Sequence, residues 1–181
     1  MRPTRRRYLG AVGAASLAGC LGGGEGGARS TPTDGGPTDT ATEAQVTRLQ
    51  ALSVAGSPGG RVPVREPGTP SLVDFFATWC APCKPQMASL GAVRGAYGTD
   101  ELHVASVTTE TDRDAIRDFW LEYDGTWPVL LDPDLAATQS YSVKGVPTLV
   151  LLDGAGDVRW RHRGLAGEDT LRREVDEAVE G

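Results

Sequence analysis

The apolar run Ser71-Leu-Val-Asp-Phe-Phe-Ala77 leads through Thr78 and Trp79 into Cys80-Ala81-Pro82-Cys83-Lys84. Beyond the second cysteine, apolar residues recur at three- and four-residue spacing as Met87, Leu90, Val93 and Tyr97. The first pattern fits a central strand covered on both faces and the second a helix, so the cysteine pair stands at a strand-to-helix junction. Two thiols so placed can close a small disulfide, reopen it and pass two electrons onward. The first sulfur lies where unpaired backbone N–H groups and the helix dipole favour a thiolate, which makes it the attacking nucleophile. The second, one turn on, can resolve a mixed disulfide.

The periodicities elsewhere agree with a layered sheet. Residues 49–54 and 61–64 read as short strands around the turn Ser57-Pro-Gly-Gly60. Residues 102–107 form the next strand. Asp112 opens an acidic helix with Ile116, Phe119, Trp120 and Tyr123 on its apolar side. Residues 128–131 read as a short strand and 135–141 as a short helix. A hairpin of 148–152 and 158–162 turns at Asp153-Gly-Ala-Gly156. A closing helix over 169–179 turns Leu171, Val175 and Val179 inward. This order describes an α/β fold, a central mixed sheet with helices on both faces.

The third cysteine, Cys20, ends Leu17-Ala18-Gly19-Cys20 behind an apolar stretch and Arg5-Arg6-Arg7. Residues 1–19 read as a signal peptide, with an apolar core of about ten residues against the roughly twenty a spanning helix needs. The arginine pair resembles a twin-arginine export signal and Leu-Ala-Gly-Cys a lipobox, which would place a lipid on Cys20; an ordinary secretory signal is the alternative. Residues 20–46 are rich in Gly, Thr, Pro and Asp and read as a flexible tether with a mean reach of about 25 Å. Residues 47–181 then form one domain.

Removing Arg2, Arg5, Arg6 and Arg7 from the 18 basic residues leaves 14 against 24 acids, a net charge of −10. Such a balance argues against a nucleic-acid partner, which needs a basic face. Lys84 and Lys144 are the only lysines. Abundant acid with scarce lysine resembles proteins of halophilic archaea; the alternative is an acidic domain from an organism with GC-rich codons.

Leu72-Val-Asp-Phe-Phe-Ala-Thr-Trp-Cys-Ala-Pro-Cys-Lys84, with Gly145-Val146-Pro147-Thr148 downstream, resembles the thioredoxin superfamily. The N-terminal β-hairpin, the inserted helix near 112–123 and Trp127-Pro-Val-Leu-Leu-Asp132 resemble its membrane-anchored TlpA/ResA-type branch. The resemblance covers residues 47–181 and implies a thiol–disulfide oxidoreductase that needs no cofactor. It makes Cys80 the nucleophile, Cys83 the resolving thiol, and Asp74 the buried acid/base beneath the resolving sulfur. It also implies a cis peptide bond before Pro147, a Val146 backbone free to pair with an extended client, and Trp79 and Pro82 flanking the dithiol. Implied partners are a client protein bearing thiols or a disulfide, such as an apocytochrome c or an oxidase copper-site protein, and a membrane electron donor or acceptor. The family pattern carries a Glu where this chain has Gln86, so Asp74 would act without that second titrating group. Pro85 also departs from it and is expected to disturb the helix.

Other chemistries compete for the same cysteines. A zinc corner would draw on His103 and His162, but neither has ligand spacing. Copper binding or delivery needs a third soft ligand, and spacing turns Met87 inward. A disulfide-forming oxidase would run the same cycle in reverse.

Overall fold

The computed structural model describes residues 46–180. The signal peptide, Cys20 and the tether up to residue 45 lie outside the described residues. Seven strands form one sheet in the order β2-β1-β5-β4-β3-β6-β7. They are β1 (Arg48–Val54), β2 (Ser57–Pro63), β3 (Ser71–Phe75), β4 (His103–Thr108), β5 (Val129–Leu131), β6 (Thr148–Leu152) and β7 (Val158–Arg163). Strands β3, β4 and β5 run parallel. The β1–β2 hairpin joins antiparallel at the β5 side, and β6 and β7 at the β3 side.

Among the described residues four helices cover the sheet: α1 (Cys83–Ala96), α2 (Arg113–Glu122), α3 (Ala136–Ser140) and α4 (Glu168–Glu180). One core packs Met87, Leu90 and Val93 of α1, Ile116, Phe119 and Trp120 of α2, and Leu171 and Val175 of α4 over Leu72, Val104 and Leu149. The opposite face buries Val73, Phe75, Ala105, Leu130 and Val150 against Ala137 of α3 and the preceding hairpin. Every residue of β3 is buried, as its unbroken apolar run requires. Because side chains alternate along a strand, Leu72 and Asp74 face the α1 side while Val73 and Phe75 face away.

Three expectations change. The first hairpin turns at Ala55-Gly56, with Val54 opposite Ser57, so Ser57-Pro-Gly-Gly60 lies within β2. Gly56 takes φ +70°, and a Cβ there would stand 2.1 Å from the Thr126 carbonyl carbon; close approach, not turn composition, places the bend. Val179 is 36% exposed at the end of α4, where the helix runs past the core. Pro85 leaves α1 unbroken. It stands in the first turn, whose N–H groups have no intrahelical acceptor to lose.

Candidate active site

Cys80 and Cys83 form a disulfide with their Cα atoms 5.3 Å apart. Two turns build the approach: Cys80 N–H donates to the Ala77 carbonyl and Cys83 N–H to the Cys80 carbonyl, both at 3.1 Å. Helix α1 starts at Cys83 with no side-chain cap and no acid in its first turn. The free N–H groups and the positive end of the helix therefore face the dithiol with no carboxylate opposing a thiolate there. Both cysteines are shielded, with 3% and 2% of their surfaces exposed. Pro82 is exposed above them. Trp79 is 74% exposed, which rules out a core tryptophan and leaves its indole on the rim of the site.

A carboxylate absent from the sequence reading holds the loop before Cys80. Glu110, just past the C-terminal end of β4, accepts the Thr78 N–H at 2.7 Å and the Thr78 hydroxyl at 2.8 Å. Its Oε2 is also 3.3 Å from the Thr108 hydroxyl. Its position beyond the carboxyl end of a parallel strand was the available signal, since sites in open α/β sheets gather there.

Asp74 lies in the middle of β3, directly across from Ser106 of β4. Ser106 Oγ donates to Asp74 Oδ2 at 3.1 Å and accepts Trp127 Nε1–H at 2.9 Å. Asp74 Oδ1 is buried with no hydrogen-bond partner. Burial pushes the Asp74 carboxyl up to about 7, opposed in part by the Ser106 hydrogen bond. A carboxyl so placed can take up and release a proton near neutrality. The sequence marks Ser106 only as a serine in the apolar run Val104-Ala-Ser-Val107, and Trp127 only by its place in the family resemblance.

The Val146–Pro147 peptide bond is cis. Pro147 is buried at the start of β6, its carbonyl accepting Gly164 N–H at 2.9 Å. Among the described residues no hydrogen bond engages the half-buried Val146 backbone. Val146, Trp79, Phe76, Leu135 and Val143 line one groove of about 430 Å³.

Gln86 is fully buried one turn after Cys83. Its Nε2 donates to the Ala166 carbonyl at 3.0 Å and its Oε1 accepts the Ala166 N–H at 2.8 Å. An amide satisfies both backbone groups at once, which an ionised Glu cannot. His103 opens β4 with its Nε2 buried and without a hydrogen-bond partner, and His162 Nε2 lies 3.3 Å from the Leu165 carbonyl. Among the described residues no three His, Cys, Asp or Glu side chains gather into a metal site. Met87 is buried in the α1 core.

The chain is similar to known proteins. The thiol:disulfide interchange protein HelX of Rhodobacter capsulatus is 29% identical over 140 residues, 77% of this chain and 76% of HelX. The thiol–disulfide oxidoreductase ResA of Bacillus cereus is 28% identical over 86 residues, 48% of this chain and 50% of ResA; the chain thus spans half the length of that relative. A secreted Mycobacterium tuberculosis disulfide oxidoreductase homologous to Escherichia coli DsbE superposes with a TM-score of 0.64 at 22% identity, covering 76% of this chain and 99% of that one, and shares the thioredoxin-like fold. Residues 39–179 match the Redoxin family as a whole. With a CxxC pair at the head of α1 and relatives named as thiol–disulfide oxidoreductases, the chain belongs to the Redoxin family.

Proposed function

We propose that this chain is a protein-disulfide reductase held at the outer face of the cell membrane by a lipid on Cys20. The observation that carries the redox part is the Cys80–Cys83 disulfide at an uncapped helix start, on the same sheet face as a buried carboxyl that titrates near 7. In the reduced protein, the Cys80 thiolate attacks one sulfur of a client disulfide, forming a mixed disulfide and releasing the first client thiolate. Asp74 then takes the proton from Cys83, whose thiolate attacks Cys80 Sγ. That step forms the Cys80–Cys83 disulfide and releases the second client thiol. Two electrons leave the dithiol, and a membrane-borne dithiol donor returns them. The Val146 backbone, unused beside the cis bond, pairs with the extended client while the disulfides exchange.

Anchoring is supported by the sequence around Cys20 and the polar tether at 20–46. Among the described residues no helix is long and apolar enough to cross a membrane. Redox cycling is tested by insulin reduction: wild type turns over, and Cys80→Ser abolishes turnover. Full activity in Cys80→Ser would sink the mechanism. A Cys83→Ser protein expressed in its own membrane traps the client as a mixed disulfide. Labelling with a radioactive lipid precursor, lost in Cys20→Ala, tests the anchor.

A further inference from the structure

The groove beside the dithiol carries charge as well as apolar surface. Two cations line it, Lys144 and Arg163, and among the described residues neither forms an ion pair. Lys144 stands three residues before the cis proline, and Arg163 ends β7 opposite Thr148, the residue after it. The guanidinium lies against the loop before the cis bond: a Cβ at Gly145 would fall 2.8 Å from Arg163 Nη2. The groove's one carboxylate, Glu110, has both oxygens turned to Thr78 and Thr108. The lining is thus net positive in a chain whose formal charge is −6.

We infer that Lys144 and Arg163 select clients whose attacked cysteine is flanked by acidic residues. The segment lies extended along Val146, sets its apolar side chains against Trp79 and Leu135, and directs a carboxylate to the two cations. This deepens the reductase reading and rests on it: the selected species is the disulfide that Cys80 attacks. Opposite charge across a binding rim governs encounter and partner choice, while like charge disfavours the wrong partner.

The test uses three disulfide-bonded peptides of one length, with Glu, Gln or Lys flanking the attacked cysteine, reduced by catalytic protein with dithiothreitol as electron source. In low salt, kcat/KM falls in the order Glu, Gln, Lys, with about three- to tenfold between neighbours. The order fades in 1 M salt, where the screening length shrinks to about 3 Å. Lys144→Gln with Arg163→Gln brings the three values together, and Lys144→Glu with Arg163→Glu reverses the order, a result misfolding cannot produce. A wild-type protein that reduces all three peptides alike overturns the selectivity and leaves the reductase reading standing. An order that survives charge reversal also overturns it. A protein that reduces none of the peptides overturns both.

Discussion

Ser106 donates its hydroxyl to Asp74 across the β3–β4 register, and that single contact at 3.1 Å is all the hydrogen bonding the buried carboxyl receives. One donor is too little to hold a carboxylate ionised against burial, so the group is poised near neutrality. The stability consequence has a definite sign. Between the ordinary value of 3.8 and the folded value of about 7, the folded state binds the proton that the unfolded state has lost, so stability falls as pH rises through that window. The full effect is about 4 kcal/mol, present below pH 4 and gone above pH 7. Urea melts from pH 4 to pH 8 should show this slope in wild type and not in Asp74→Asn, which should be the more stable protein at pH 8.

The same variant separates proton transfer from attack. Asp74→Asn cannot accept the Cys83 proton, so resolution of a preformed mixed disulfide should slow by about 10²-fold or more. In wild type that rate should rise through pH 7. Stopped-flow release of a fluorescent client thiol measures it, and an unchanged rate would exclude Asp74 as the base.

Gln86 fastens α1 to the loop before α4 through both backbone groups of Ala166. Gln86→Leu strands a buried N–H and a buried carbonyl and should cost about 2–4 kcal/mol. Gln86→Glu can copy both bonds only as the neutral acid, so its melting temperature should match wild type near pH 4 and drop by pH 8. A pH-independent difference between the two would show that this amide does not bear on the fold.

Glu110→Ala removes the acceptor for the Thr78 amide and hydroxyl and should destabilise the protein by about 1.5–3 kcal/mol, the range for hydrogen bonds to a charged group. The diagnostic readout is local: amide exchange at Thr78 should accelerate while the α1 amides keep their wild-type ranking. Glu110→Gln, which retains an acceptor, should restore most of the protection.

Gly56→Ala should be among the most damaging substitutions of a surface turn, at about 3 kcal/mol or more, because it combines a positive φ with a Cβ driven into the Thr126 backbone. Chemical denaturation of the variant checks the figure. A cost below 0.5 kcal/mol would mean the 125–127 loop yields freely.

Much of the scaffold was legible in the sequence because periodicity reports burial directly. The run before Cys80, the spacing in α1 and the cap at Asp112, which accepts the N–H groups of Asp114 and Ala115, mark their elements by local physics alone. The turn at Ala55-Gly56 was not legible, since its constraint is a neighbour seventy residues away. The site divides the same way. The cysteines announce themselves by spacing, and Asp74 by interrupting an apolar strand. Glu110, Ser106 and the Ala166 backbone take their roles from contacts between distant segments, with partners 32 and 80 residues apart in the chain.

Strand β7 carries Arg159, Arg161 and Arg163 on alternate positions at the open margin of the sheet. Were a second copy to add its own β7 antiparallel, centred on Arg161, guanidinium would face guanidinium at every same-side position, and like charges directly opposed are destabilising. This row of like charge thereby disfavours edge-to-edge pairing of two copies through β7. Threonine at all three positions should expose that tendency as rising light scattering on concentration.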